Sequence, residues 1–508
     1  MWGLSLSEEH VTSSYFPITI ISFFFALSFL LFLLKCSSFS SNKSGLPPSP
    51  PTFPIIGNFH QLGLYPHRSL QKLAEIYGPI MLLHLGSLPA LIISSADMAR
   101  EIMKTHDIIF SDRPKSKVLK IVAYGQKDIA VAPYGEYWRQ MKSIAVLHLL
   151  SNRRVQSYRD VREEEINSMI DHIKCSSSLP VNLSEIFANT TNDIVCRIAL
   201  GRKYGEDGRG RSFKDLLREG GEVSGVFDVG DFIPWLGWVS SAKGLYAKAE
   251  KVAKKMDEFL DKVVDEHLAK DNWKDDSKNK DFVDVLLWIQ KENIASFPID
   301  RTSIKAIIQD VFGAGTDTTY TALEWTMTEL LRHPKVMKKL QNEIRETVKN
   351  KLEITEGDLH KIPYLKAVIK EAMRLHPPLP LLVPRVSTQD VKVKRFNIAA
   401  GTQVFINVYA IGRDPTIWDR AEEFLPDRFL NSSIDFKGQN FKLIPFGAGR
   451  RLCPGIQFAM STDELALAKL LHKFDWEATK DLDMTETTGF TAKRYLPLLA
   501  VATPYLSS

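Results

Sequence analysis

The sequence predicts a body that is mainly α with a small β subdomain, held behind a single N-terminal transmembrane helix. Three observations carry this. Residues Val11 to Leu34 contain no charge, long proline-free stretches have helical period, and only a few short apolar runs are bounded by turn residues. Composition agrees. Of 508 residues, 44% are hydrophobic and 25% charged, with a net charge of +5, which excludes a disordered chain and a polytopic membrane protein. So small and evenly spread a charge gives no reason to expect nucleic acid as a partner. Four cysteines in so long a chain do not make a disulfide scaffold, so a reducing compartment is expected.

The N-terminal run reads as a membrane anchor within residues 1–40, its helix at about 15–35. A helix from Val11 to Leu34 would span roughly 36 Å, against about 30 Å of hydrocarbon. A cleaved secretory signal fits less well, because Glu8 and Glu9 stand where such a signal carries positive charge. Acids before the run and Lys35 and Lys43 after it predict a cytosolic body. Residues 41–57 follow as a proline-rich hinge, with Pro47, Pro48, Pro50, Pro51 and Pro54 excluding a helix and predicting a stiff spacer.

Residues 58–508 form the expected catalytic body. Ile80–Leu85 and Ala90–Ser94 flank Gly86-Ser87-Leu88-Pro89 and predict a hairpin; Val391–Phe396 and Thr402–Val408, joined around Ala400-Gly401, predict further strands. Ser157–His172, Tyr246–His267 and Lys335–Val348 read as amphipathic surface helices, and Asp271–Asp281 as a solvated charged loop.

Between Pro298 and Pro334 a long proline-free segment predicts a helix of ~45 Å, capped by Asp300 or Thr302. Its middle reads Gly313-Ala-Gly-Thr-Asp-Thr-Thr319. Two glycines and three threonines weaken a helix interior, so a locally opened turn that aims hydroxyls at a bound group is expected.

Near the C-terminus, Phe446-Gly-Ala-Gly-Arg-Arg-Leu-Cys-Pro-Gly455 sets one thiol among glycines and arginines. The glycines permit tight turns and close approach to a large flat object. Arg451 and backbone N–H groups are expected to hold Cys453 as the metal-binding thiolate, with Phe446 covering the sulfur and a helix N-terminus following.

The motif Phe446-x-x-Gly449-x-Arg451-x-Cys453-x-Gly455 resembles the haem-binding loop of cytochrome P450, the haem-thiolate monooxygenases. In the same order, Ala314-Gly315-Thr316-Asp317-Thr318 resembles the family's oxygen-binding stretch and Glu371-Ala-Met-Arg374 its Glu-x-x-Arg pair. Phe424–Phe429 resembles the segment whose arginine, Arg428, completes that network. Trp138 matches an aromatic residue beside a haem propionate. The resemblance runs along essentially the whole chain and is closest to plant microsomal members of specialised metabolism.

It implies the family fold and haem b, an iron protoporphyrin with Cys453 as axial thiolate. Cofactor contacts would come from Arg451, Phe446, Gly449, Gly455, Trp138, Lys142, Arg113, Arg385, Ala314 and Gly315. Lys142 stands where the family often has arginine, a point charge in place of a bidentate fork. Thr318, supported by Asp317, would relay protons, and Glu371, Arg374 and Arg428 would form a structural network. The substrate pocket would include Val118, Ile121, Phe227, Val311, Leu381, Val383 and Phe490, an apolar set that suits a lipophilic terpenoid, indole derivative or alkaloid.

Electrons would come from NADPH through a cytochrome P450 reductase, docked on a basic face of Lys442, Arg450 and Lys142. The expected location is the endoplasmic reticulum membrane, single-pass, with the catalytic domain cytosolic. Two alternatives stay open. One is an enzyme of the same fold catalysing rearrangement, dehydration or coupling without oxygen insertion; the other is a non-catalytic haem sensor.

Overall fold

The structure is a computed structural model and describes residues 22–24, 26–28, 45–176, 179–204, 213–226, 228–270, 280–294, 297–349, 351 and 353–505. The expected anchor lies almost wholly outside the described residues. Among the described residues no helix is long and apolar enough to cross a membrane.

The proline segment is part of the body. Leu82 N donates to Pro48 O at 2.8 Å, and Asn58 Nδ2 donates to Pro51 O at 3.2 Å. A proline-rich strand has no internal hydrogen bonds, so its carbonyls are free to accept from a neighbouring strand. Over residues 46–57 the expected stiff spacer runs as a strap along the small sheet.

Four strands form that sheet. Ile80–Leu85 pairs antiparallel with Leu88–Ile93, Leu85 opposite Leu88, around a turn in which Gly86 has φ +61°. Leu88–Ile93 then runs parallel to Gln403–Ile406, which pairs antiparallel with Arg385–Val386. The expected link between the 391 and 402 strands is absent: Val391–Val393 folds back on Phe396–Ile398 as a separate hairpin. A third sheet, of Pro180–Asn182, Leu499–Pro504 and Phe474–Ala478, carries no turn signal in the sequence.

Helices make the rest. The three amphipathic segments run Arg159–Cys175, Leu245–Lys270 and Pro334–Thr347, each within a few residues of its sequence limits. The long segment is the central helix, Arg301–Arg332, with Asp300 Oδ1 accepting from Ser303 N at 2.7 Å as its N-cap. From Thr321 to Leu330 every residue is buried, as a helix enclosed on all sides requires. Around it pack Leu183–Leu200, Pro363–Leu375 and Ile456–Lys473, which share one core containing Phe187, Phe312, Leu323 and Leu465.

The expected opened turn is not present. The central helix is continuous through Gly313–Thr319, and the Thr318 hydroxyl donates to Ala314 O at 2.6 Å, turning back on its own helix.

Candidate haem-binding and proton-relay site

The central helix is buried over residues 303–308 and 321–330 but open between them. Gln309, Asp310, Gly313, Asp317 and Thr318 are half-buried and Ala314 is exposed, a stripe at helical spacing along one face. A Cβ added to Gly313 would meet nothing within 4 Å, so this face leaves room beside the helix. Gly315 points elsewhere: an added Cβ would lie 3.3 Å from Val195 and 4.0 Å from Phe458. Its expected cofactor contact becomes a packing contact, letting the central helix approach the helices Leu183–Leu200 and Ile456–Lys473. Phe458 lies in the first turn of the helix that follows Cys453.

That loop turns at Gly447 (φ +72°) and Gly449 (φ +69°) and closes when Cys453 N donates to Phe446 O at 3.1 Å. At Gly449 a Cβ would sit 2.2 Å from Met103 O, so only glycine permits the close approach of the two backbones. Gly455 N donates to Cys453 Sγ at 3.4 Å from the N-cap position of Ile456–Lys473. Burial pushes the thiol up, while the Gly455 N–H and the nearby Lys142 ammonium favour the thiolate.

Two expected roles change here. Arg451 does not hold the sulfur; its guanidinium donates to Ser111 O (2.8 Å), Ile129 O (3.2 Å) and Ala132 O (2.6 Å) and stacks 4.1 Å from the Trp138 ring. The cation acting on Cys453 is Lys142, whose Nζ donates to Leu452 O at 2.5 Å. Burial brings this ammonium down to about 8. A long flexible stem carrying a single point charge lets it reach the main chain next to the sulfur. Phe446 packs edge-on against Phe436, 5.5 Å between ring centres.

Arg451 belongs to a set of three buried arginines. Arg113 donates to Ala130 O at 2.8 Å and to Val383 O and Pro384 O at 2.7 Å; Arg385 donates to Ala448 O at 2.9 Å and lies 3.5 Å from Asp107. Burial and mutual repulsion depress Arg113 well below its ordinary range, and burial first of all takes Arg385 and Arg451 to about 10. Among the described residues neither Arg113 nor Arg451 has a carboxylate at ion-pair distance. Buried cations of this kind call for anionic partners. Two carboxylates of a porphyrin would supply that charge. With one thiol on a glycine loop and a small-residue stripe beside it, the residues fit an iron protoporphyrin.

The role of one residue of this site is not singled out by the sequence. Asp310, on the open stripe, accepts from Ile129 N and from Ala130 N (3.2 Å). The same loop turns its carbonyls outward, to Arg451 and Trp138 from Ile129 and to Arg113 from Ala130. Asp310 therefore ties the arginine-binding loop to the central helix. Burial and the neighbouring Asp128 carboxyl push Asp310 well above its ordinary range, and burial raises Asp128 to about 6. No motif marks a carboxylate that binds main-chain amides 181 residues away.

Thr318 and Asp317 are adjacent but not bonded to each other. Asp317 Oδ1 accepts from Lys493 Nζ at 2.7 Å and Oδ2 from Thr491 Oγ1 at 3.0 Å. Glu371 and Arg374 form a bidentate pair at 2.7 and 2.8 Å, both essentially inaccessible, and Arg428 Nε reaches Glu371 Oε1 at 3.0 Å.

The expected pocket residues are distributed over several packing clusters. Val118 is 2% exposed, with Ile121 at the edge of the same cluster against Val223, Tyr246 and Val252. Leu381 packs instead with the strand residues Leu83 and Leu85. Val311 packs against the main core, Val383 is half-buried, Phe490 is 49% exposed, and Phe227 lies outside the described residues.

Comparisons with known proteins agree with one another. A family model described as Cytochrome P450 matches residues 47–499. "Cytochrome P450 736A117" of Prunus mume is 58% identical over 512 residues, covering 98% of each chain. "Norfluorocurarine oxidase" of a Strychnos species is 52% identical, covering 93% of this chain and 96% of its own. "3-beta-hydroxylase" of Tanacetum parthenium is 51% identical, covering 96% and 98%. A zebra fish cytochrome P450 structure with abiraterone superposes with a TM-score of 0.75 at 25% identity, covering 88% of this chain and all of that one.

Proposed function

The chain belongs to the cytochrome P450 family, among its plant monooxygenases of specialised metabolism, and from that premise we propose that it oxidises a lipophilic metabolite of terpenoid, indole or alkaloid type. Its electrons come from NADPH through a reductase, and the catalytic body sits on the cytosolic face of the endoplasmic reticulum. The observation that carries this is the pairing of one loop-borne thiol, Cys453, with the buried Arg113 and Arg451, which among the described residues have no carboxylate at ion-pair distance.

Bound through the Cys453 sulfur, iron protoporphyrin would supply activation of O₂ and transfer of one oxygen atom to substrate. The chain does the rest. Cys453 supplies the sulfur, with the Gly455 N–H favouring its anionic form. Arg113, Arg385, Arg451 and Trp138 would hold the propionates, each already oriented by main-chain carbonyls. Gly313 and Ala314 leave space, and Thr318 holds a proton at Oγ1 beside that space. Glu371, Arg374 and Arg428 fix the scaffold behind the loop. Lys442 and Arg450 are exposed and offer an acidic partner a basic face, Arg450 lying 3.4 Å from Asp107.

A reduced-minus-reduced-carbon-monoxide spectrum tests the ligation. Microsomal turnover of a lipophilic metabolite panel with labelled O₂ tests the reaction. A product without label would move the chain to a rearranging or dehydrating enzyme, and no reductase-dependent NADPH oxidation with any substrate would end the enzymatic reading.

A further inference from the structure

We infer that Lys493, together with Thr491, is a positioning cradle that sets the orientation of the relay acid Asp317. The inference rests on the reading above, in which Thr318 and Asp317 handle protons. Both oxygens of the Asp317 carboxylate are committed to residues 174 and 176 positions downstream, the ammonium on one and the hydroxyl on the other. Thr318 donates to Ala314 O, so the acid has been turned away from the alcohol that follows it in sequence.

The segment that does this is rigid. Tyr495 N donates to Thr485 O and Thr487 N to Lys493 O, both at 2.8 Å, closing residues 485–495 into a narrow loop. Ala492 is pinned on both sides. Its N–H donates to Pro378 O at 2.9 Å, and its carbonyl accepts from Trp325 Nε1 at 2.8 Å, a tryptophan of the central helix itself. In extended backbone, residues two apart share a face. With Ala492 fixed, Thr491 and Lys493 therefore project together toward Asp317. The Lys493 ammonium also lies 5.2 Å from the Tyr320 ring, one turn along the same helix.

An exposed ion pair would ordinarily be worth little. This one differs in where it sits: Asp317 is on the half-open stripe, and the pair keeps 27% and 39% side-chain exposure, enough to exchange protons with water. The ammonium holds the carboxylate in one orientation at the edge of the open stripe. The same loop carries the exposed Phe490, three residues before Lys493.

The test compares Lys493→Met, which keeps length and removes charge, with Lys493→Arg and Thr491→Val, in the full chain with reductase and 7-ethoxycoumarin as probe. Lys493→Met is expected to keep the carbon monoxide spectrum, to raise peroxide formed per NADPH by about threefold or more and to enlarge the solvent isotope effect on NADPH oxidation, with Lys493→Arg restoring both. A merely structural pair would leave the isotope effect unchanged, and that result overturns the inference. If the wild type shows no reductase-dependent NADPH oxidation, the proposed function fails instead. The cradle is then read from amide exchange across residues 313–318 in the resting protein, where unchanged exchange in Lys493→Met overturns it.

Discussion

Arg428 Nε donates to Glu371 Oε1 at 3.0 Å, joining two segments 57 residues apart at a carboxylate with no solvent access. The same oxygen accepts from Leu425 N at 2.7 Å, while Arg374 takes both oxygens and spends its remaining donors on Gly412 O, Ala421 O and Glu423 O. Every polar group in this knot is satisfied, the condition under which a buried charge is tolerated.

Glu371→Gln should therefore destabilise the protein by about 3–5 kcal/mol, because it leaves Arg374 buried without its counter-charge. Arg428→Ala, at a residue with some solvent access, should lose less. Urea unfolding monitored by far-UV circular dichroism reads both; equal losses would show that the knot is not centred on Glu371.

Cys453→Ser should leave the helical content unchanged and abolish the thiolate signature of the reduced carbon monoxide complex. The spectrum and iron content of the purified protein check this. A retained thiolate band would place the ligand elsewhere.

Thr318→Val keeps the size of the side chain and removes the proton held at Oγ1. Product formed per NADPH should fall by about tenfold, with the carbon monoxide spectrum intact. Unchanged coupling would remove Thr318 from the relay.

Gly449→Ala should prevent recovery of holoprotein. The added methyl would sit 2.2 Å from Met103 O at a φ of +69°, so both sterics and backbone strain oppose it. Wild-type haem content in this variant would contradict the close approach.

The acid limb of stability should depend on Glu486. Burial alone would raise this carboxyl, but His67 Nε2 at 2.8 Å and Arg68 outweigh it and bring it down to about 2 from an ordinary 4.5. A carboxyl depressed in the folded state adds stability that is fully present above pH 4.5 and is lost as pH falls toward 2, about 3 kcal/mol in all. Glu486→Gln should be less stable than wild type at pH 7 and should converge with it below pH 2–3, measured as melting temperature against pH.

Much was legible along the chain because local physics is written locally. The Asp300 cap, the glycine turns at 447 and 449, the 80–93 hairpin and the i,i+3 spacing of Glu371 and Arg374 each depend on neighbours a few residues away, where backbone geometry alone restricts the outcome. The thiol of Cys453 belongs to the same class, since its loop declares itself in ten residues.

Other assignments required the fold. Lys142 and Arg451 both carry positive charge near the thiol loop in sequence logic, yet only packing sends the lysine to Leu452 O and the arginine to the loop at 129–132. Gly315 looks like room for a ligand until Val195 is found against it, and Asp317 looks like the partner of Thr318 until Lys493 arrives from the far end of the chain. Residue types state which bonds a group can form. Which of them it does form depends on which distant backbone is close enough to offer a partner, and that is decided when the helices and strands pack.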